Sequence, residues 1–140
     1  MSIPTVLDRF PTPPCAHLLG LDILAADRDG GEVSIAFTAR PEFCNAAGNV
    51  QGGFLAAMLD DCMGPALLIA TDAEFYPSTI DLNVQFLAPA RPGRILGKAR
   101  VIQLGRTIGF VQGELEDACG KTIARASASV RITAMHKARA

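Results

Sequence analysis

Gly52-Gly53-Phe54-Leu55-Ala56-Ala57-Met58-Leu59-Asp60-Asp61-Cys62-Met63-Gly64-Pro65-Ala66-Leu67-Leu68-Ile69-Ala70 is the stretch that decides the architecture. It carries two acids, Asp60 and Asp61, and is otherwise apolar or small, so its spacing predicts one buried helix from Gly52 to about Ala70. At 3.6 residues per turn Leu55, Met58, Leu59, Cys62 and Ala66 form an apolar stripe, while Gly53, Ala57, Asp60 and Gly64 fall on the opposite side. A face of small residues lets another backbone approach, so this side is expected to meet a partner subunit or the thin part of a ligand. Pro65 offers no N–H to the carbonyl of Asp61, which predicts a kink or a restart of the helix there.

On either side of this helix the period changes from 3.6 to 2. Val33, Ile35, Phe37 and Ala39 alternate with Glu32, Ser34, Ala36 and Thr38 after an Asp29-Gly30-Gly31 turn signal. Four further extended segments are expected near 79–87, 94–104, 107–116 and 121–133, separated by breaks short enough to make antiparallel neighbours. In the first of them Ile80, Leu82, Val84 and Phe86 share one face, and strict alternation puts Thr79 on the other. In the last, Ala124, Ala126 and Ala128 are small enough to admit something bulky, and the helix is the candidate. The predicted class is therefore α+β: one long central helix wrapped by an antiparallel sheet of about five to six strands.

The chain has 140 residues, which fits one domain, with residues 1–20 as an N-terminal appendage before and after Phe10-Pro11-Thr12-Pro13-Pro14. Charged residues are 19%, below the usual value of about 25%, so extra buried surface is expected. A net charge of -1 supplies no basic field for a polyphosphate backbone, which argues against nucleic acid as a partner. Asp60 and Asp61 interrupt the best apolar run, so no membrane-spanning segment is expected. The first ten residues do not read as a secretion signal, and a cytoplasmic location is the expectation. Cys15, Cys44, Cys62 and Cys119 lack metal-ligand spacing and are read as free thiols, with Cys62 as core filler. His17 and His136 are isolated, and no metal or organic cofactor is indicated.

Two segments carry a resemblance. Asn45-Ala46-Ala47-Gly48-Asn49-Val50-Gln51-Gly52-Gly53-Phe54-Leu55-Ala56-Ala57-Met58-Leu59-Asp60 resembles the signature of hotdog-fold acyl-CoA thioesterases of the phenylacetate-degradation type. Thr79-Ile80-Asp81-Leu82-Asn83-Val84-Gln85-Phe86-Leu87-Ala88-Pro89-Ala90 is similar to that family's following strand and closing proline. The resemblance covers roughly residues 20–133 and implies a thioester hydrolase on a hotdog fold. It implies Asp60 as general base or nucleophile, the Gly52 amide as the donor that polarises the thioester carbonyl, and Asn45 and Thr79 as groups that orient the water or the carboxylate. Where the family usually has His, this chain has Gln51, which can donate a hydrogen bond but cannot titrate near neutral pH.

The residue chemistry is consistent with that reading. Thioester hydrolysis needs an activated water and a stabilised oxyanion, and a carboxylate with a helix N-terminal N–H supplies both. Gly52 and Asp60 lie about 12 Å apart along an ideal helix, too far to act on one carbonyl. A two-fold dimer with antiparallel central helices would set Gly52 of one subunit beside Asp60 of the other, and a homotetramer is a further possibility. Among the basic residues, Arg94 and Arg106 are the first candidates for the phosphates of coenzyme A. Phe54, Phe75, Tyr76, Phe86 and Phe110 are candidate walls for the acyl group. Asp61, about 100° around the helix from Asp60, has no matching catalytic position and reads as a structural or interface residue. Asn45 has a plain alternative as a turn residue of its own loop, and Gly52 and Gly53 have one in a tight start to the helix. The competing reading is a non-catalytic acyl-CoA-binding hotdog protein. A hydratase ranks last, since the helix start lacks an Asp-x-x-x-x-His pair.

Overall fold

The computed structural model describes residues 2–138. Its sheet contains six strands, β1 (Asp22–Asp27), β2 (Glu32–Ala39), β3 (Phe75–Phe86), β4 (Gly93–Leu104), β5 (Ile108–Glu116) and β6 (Thr122–Ala134). They are ordered β1-β2-β4-β5-β6-β3, with every neighbouring pair antiparallel. Two short helices, α1 (Pro14–Leu19) and α3 (Met135–Ala138), flank the long helix α2 (Gly52–Ala70). This is the hotdog architecture.

The apolar stripe of α2 is what the sheet wraps. Leu55, Met58, Leu59, Cys62 and Ala66 are all buried, together with Met63 and Leu67, against Ile35, Phe37, Ile95, Val111, Leu115 and the inward alanines of β6. Gly53, Ala57 and Asp60, on the reverse, are exposed in the protomer. The helix is continuous through Pro65, so it does not restart there, one of the two outcomes expected of that proline. Gly64 has no Cβ to clash with the proline ring, and burial of Met63, Pro65, Ala66 and Leu67 offsets the lost N–H. By length and composition alone α2, with a mean hydropathy of 1.5, could cross a bilayer, despite the two acids that argued against such a segment. Half of that stretch is buried inside the molecule, as befits the core helix of a folded domain.

Gly97 of β4 marks the closest approach of sheet to helix. A Cβ there would run into Cys62 Sγ and stand 3.0 Å from Phe37 Cε2 and 3.3 Å from Leu115 Cδ2. Gly97→Ala is therefore expected to destabilise the fold by roughly 1–3 kcal/mol through overpacking. Adding Cys62→Ala should restore part of that loss. Urea unfolding of the single and double variants measures both numbers, and a Gly97→Ala protein as stable as the parent would contradict the packing.

Residues 2–20 fold back onto the body. The Ile3 amide donates to the Ile23 carbonyl at 2.9 Å, a 3-10 turn at Val6–Arg9 lies along α2, and Ala16 and Leu19 of α1 are buried. Val6 and Leu7 pack against the core cluster.

The strand that positions the site departs most from expectation. β3 begins at Phe75, four residues ahead of the expected 79, and runs through Pro77. A proline is tolerated there because β3 is an edge strand, paired only with β6. Its register against β6 shifts between Thr79 and Asp81, so that Thr79 faces Val130 and Asp81 faces Ser129 while Ile80 is left over.

Candidate active site

That bulge turns Thr79 to the helix side. Thr79 opposes Val130 and Leu82 opposes Ala128, and both partners are buried on the inner face of β6, so Thr79 joins Leu82, Val84 and Phe86. Strict alternation placed it on the other face; the extra residue Ile80 corrects this, and Ile80 itself is 57% exposed. Asp81 holds the bulge, because its Oδ1 accepts the Ser129 backbone N–H at 3.1 Å in place of a ladder carbonyl. Asp81 has no role in the expectation from sequence, and no local pattern marks the bulge that it holds.

Once turned inward, the Thr79 hydroxyl donates to Asp60 Oδ1 at 2.8 Å. Asp60 sits on the small-residue side of α2 and is exposed, so one carboxylate oxygen is held by Thr79 and the other faces open space. An oriented carboxylate of this kind can take a proton from water or attack a carbonyl carbon.

At the start of α2, Gln51 caps the helix with its own side chain: Oε1 accepts the Gly53 N–H at 2.7 Å. This fixes the side-chain amide with Nε2 as its remaining donor. The space at Gly53 belongs to this cap, since a Cβ there would stand 2.6 Å from Gln51 Oε1. The Gly52 amide, at the first helical position, has no hydrogen-bond partner among the described residues.

Asn45 takes its plainer role. Its Oδ1 accepts the N–H groups of Ala47 at 3.0 Å and Asn49 at 3.2 Å, which shapes the loop before α2 and leaves Nδ2 as the side chain's donor. Arg91 overlies the same loop, its Nη1 3.6 Å from where a Cβ of Gly48 would be. The two basic residues expected at the phosphates, Arg94 and Arg106, belong to β4 and the hairpin that follows it. Arg94 pairs with Thr38 at the start of β4. Arg106 occupies the β4–β5 hairpin, next to Gly109, which abuts Leu67 in the C-terminal half of α2 and so lies away from Gly52 of the same protomer.

The neighbouring acid behaves differently from Asp60. Asp61 Oδ2 is buried without a hydrogen-bond partner, and burial, with a smaller contribution from the Asp60 charge, pushes the carboxyl up to about 6. Burial, aided by Asp61, likewise pushes the Cys62 thiol up, so Cys62 is a core side chain and not a nucleophile. Because unfolded Asp61 loses its proton near 3.8 and folded Asp61 near 6, the folded state holds more protons in between, and stability falls as pH rises through that window. Asp61→Asn is expected to gain roughly 1–2 kcal/mol over the parent at pH 7.5, a figure reduced for partial exposure, and nothing below pH 4. Thermal melts of both proteins across this range would show the gain; an equal difference at both ends of the range would refute the assignment.

Known proteins share this fold. Residues 47–124, which span the loop, α2, β3, β4, β5 and the start of β6, match the family described as the thioesterase superfamily. The human acyl-coenzyme A thioesterase 13 is 32% identical over 97 residues, 68% of this chain and 69% of its own length. A phenylacetic acid degradation-related protein from Ralstonia eutropha JMP134 superposes with a TM-score of 0.85 at 36% identity, covering 90% of this chain and 95% of that one. A protein of the phenylacetic acid degradation operon of E. coli shares the fold, with a TM-score of 0.75 at 23% identity over 84% of this chain and 86% of its own. With the match extending over more than half of its length and its central helix, bulged strand and oriented carboxylate in place, the chain belongs to the thioesterase superfamily and is a thioester hydrolase.

Proposed function

We propose that the protein hydrolyses acyl-CoA thioesters to a free acid and coenzyme A, in a site built from Asp60 of one subunit and the start of α2 of its two-fold partner. The observation that carries this reading is the 2.8 Å bond from Thr79 to an otherwise open Asp60, on a helix whose first amide is unpaired. Within one helix those groups stand about 12 Å apart, and antiparallel packing of two helices along the Gly53, Ala57, Gly64 stripe removes that separation. The free edge of β3, a strand of 12 residues with Ile80 exposed, supports the same pairing, since a long apolar edge is normally covered.

In this site the thioester oxygen accepts from Gly52 N–H and Gln51 Nε2. Water loses its proton to Asp60 as its oxygen bonds to the carbonyl carbon, and the negative charge that develops on the carbonyl oxygen is met by those donors. Collapse breaks the carbon–sulfur bond, and the proton returns to the departing thiolate. In the nucleophilic variant Asp60 attacks first and water opens the resulting anhydride. Because Gln51 does not titrate, the activity of this site depends on pH through carboxylates and not through an imidazole. Release of free thiol from a panel of acyl-CoA substrates tests the reading; saturable binding with no thiol released by the parent protein would instead support a non-catalytic acyl-CoA binder.

A further inference from the structure

Phe86 ends β3, and its ring stands end-on over the first residue of α2. A Cβ added to Gly52 would lie 3.1 Å from Phe86 Cζ, 3.3 Å from Cε1 and 3.5 Å from Cε2. The ring faces the helix with Thr79, Leu82 and Val84, yet it is 54% exposed, because α2 begins here with glycine and covers little of it. Of the other candidate aromatic walls, Phe75 and Tyr76 lie at the opposite end of β3 from Phe86. Phe54 stacks on Phe43, with ring centres 4.2 Å apart and planes inclined by 7°, and Phe110 lies on the face of β5 opposite the buried Val111. Phe86 is thus the ring that borders the unpaired Gly52 amide.

Resting on the thioesterase reading above, we propose that Phe86 is a specificity-determining residue, whose ring bounds the space beside the carbonyl held by Gly52 and restricts the acyl group to those with a CH₂ next to the carbonyl carbon. Of the two arms of a thioester, the pantetheine arm carries amides that need hydrogen-bond partners, which a phenyl ring does not supply. The acyl arm is the apolar one and is the arm that matches the ring. Since even a Cβ on Gly52 would stand 3.1 Å from the ring, a second substituent on the α-carbon meets its edge. A straight chain or an arylmethyl group passes, and an α-branched group does not.

Thiol release from butyryl-CoA and 2-methylpropanoyl-CoA, which differ only in branching at the α-carbon, tests this with the parent, Phe86→Leu and Phe86→Ala. The ratio of kcat/KM for branched over straight substrate should rise about tenfold in Phe86→Ala, with Phe86→Leu between it and the parent. Because the ratio compares two substrates on one protein, a general loss of stability does not move it, and Phe86→Leu preserves the test should the alanine variant fold poorly. An unchanged or falling ratio in a protein that turns over both substrates overturns the role of Phe86 alone. Absence of thiol release by the parent from any acyl-CoA overturns the thioesterase reading and this inference with it.

Discussion

Asp60→Ala and Asp60→Asn are each expected to lower kcat/KM for acyl-CoA hydrolysis by 10²-fold or more, the order of effect of removing a positioned general base. Asp60 is exposed and its one hydrogen-bond partner among the described residues is Thr79, so neither change should cost much stability. The asparagine variant can still accept the Thr79 hydroxyl through its amide oxygen, which keeps the geometry while removing the base. Thr79→Val should lie between, because it frees the carboxylate from its 2.8 Å tether without removing it. Steady-state thiol release, with melting temperatures measured alongside, checks the series. Parent-like turnover in both Asp60 variants would remove the assigned mechanism.

The second large effect concerns which subunit supplies which group. Gly52→Val places a branched side chain against the Phe86 ring and across the approach to the Gly52 amide, so this variant and Asp60→Ala should each be nearly inactive on their own. When the two are unfolded together and refolded as a mixture, each mixed dimer holds one site with both defects and one with none. About half of the dimers are mixed, so about a quarter of the parental sites should return, well above either variant alone. If Asp60 and Gly52 of the same chain served one site, every site in the mixture would remain defective. No recovery in a verified mixed dimer would therefore place both groups in one protomer.

Several features were legible from residue order. The alternation of Val33, Ile35 and Phe37 with Ser34, Ala36 and Thr38 predicts the strand that forms, and the 3.6-residue spacing of Leu55, Met58, Leu59, Cys62 and Ala66 predicts the face of α2 that is buried. Periodicity reports these because burial of one face is a local consequence of side-chain direction. It failed at Thr79, since a bulge adds one residue without changing the pattern on either side, and its presence depends on the partner strand and on Asp81 reaching the Ser129 amide. Pro65 lies inside the expected Gly52–Ala70 helix, and burial there outweighs the local preference against helix. Asn45 and Gln51 are polar residues near a helix start in any reading. Only their bonds show that the first shapes its loop and the second caps the helix.

Sequence by itself determined one long apolar helix against an antiparallel sheet, because hydrophobic period and turn chemistry act over a few residues at a time. Tertiary structure alone decided that Thr79 reaches Asp60, that Phe86 stands over Gly52 and that Asp61 is left with a buried, unpaired oxygen. The two contacts join residues far apart along the chain, and the burial of Asp61 depends on elements equally distant from it. Their distances are set by strand register and by how closely helix and sheet approach, which no local pattern encodes.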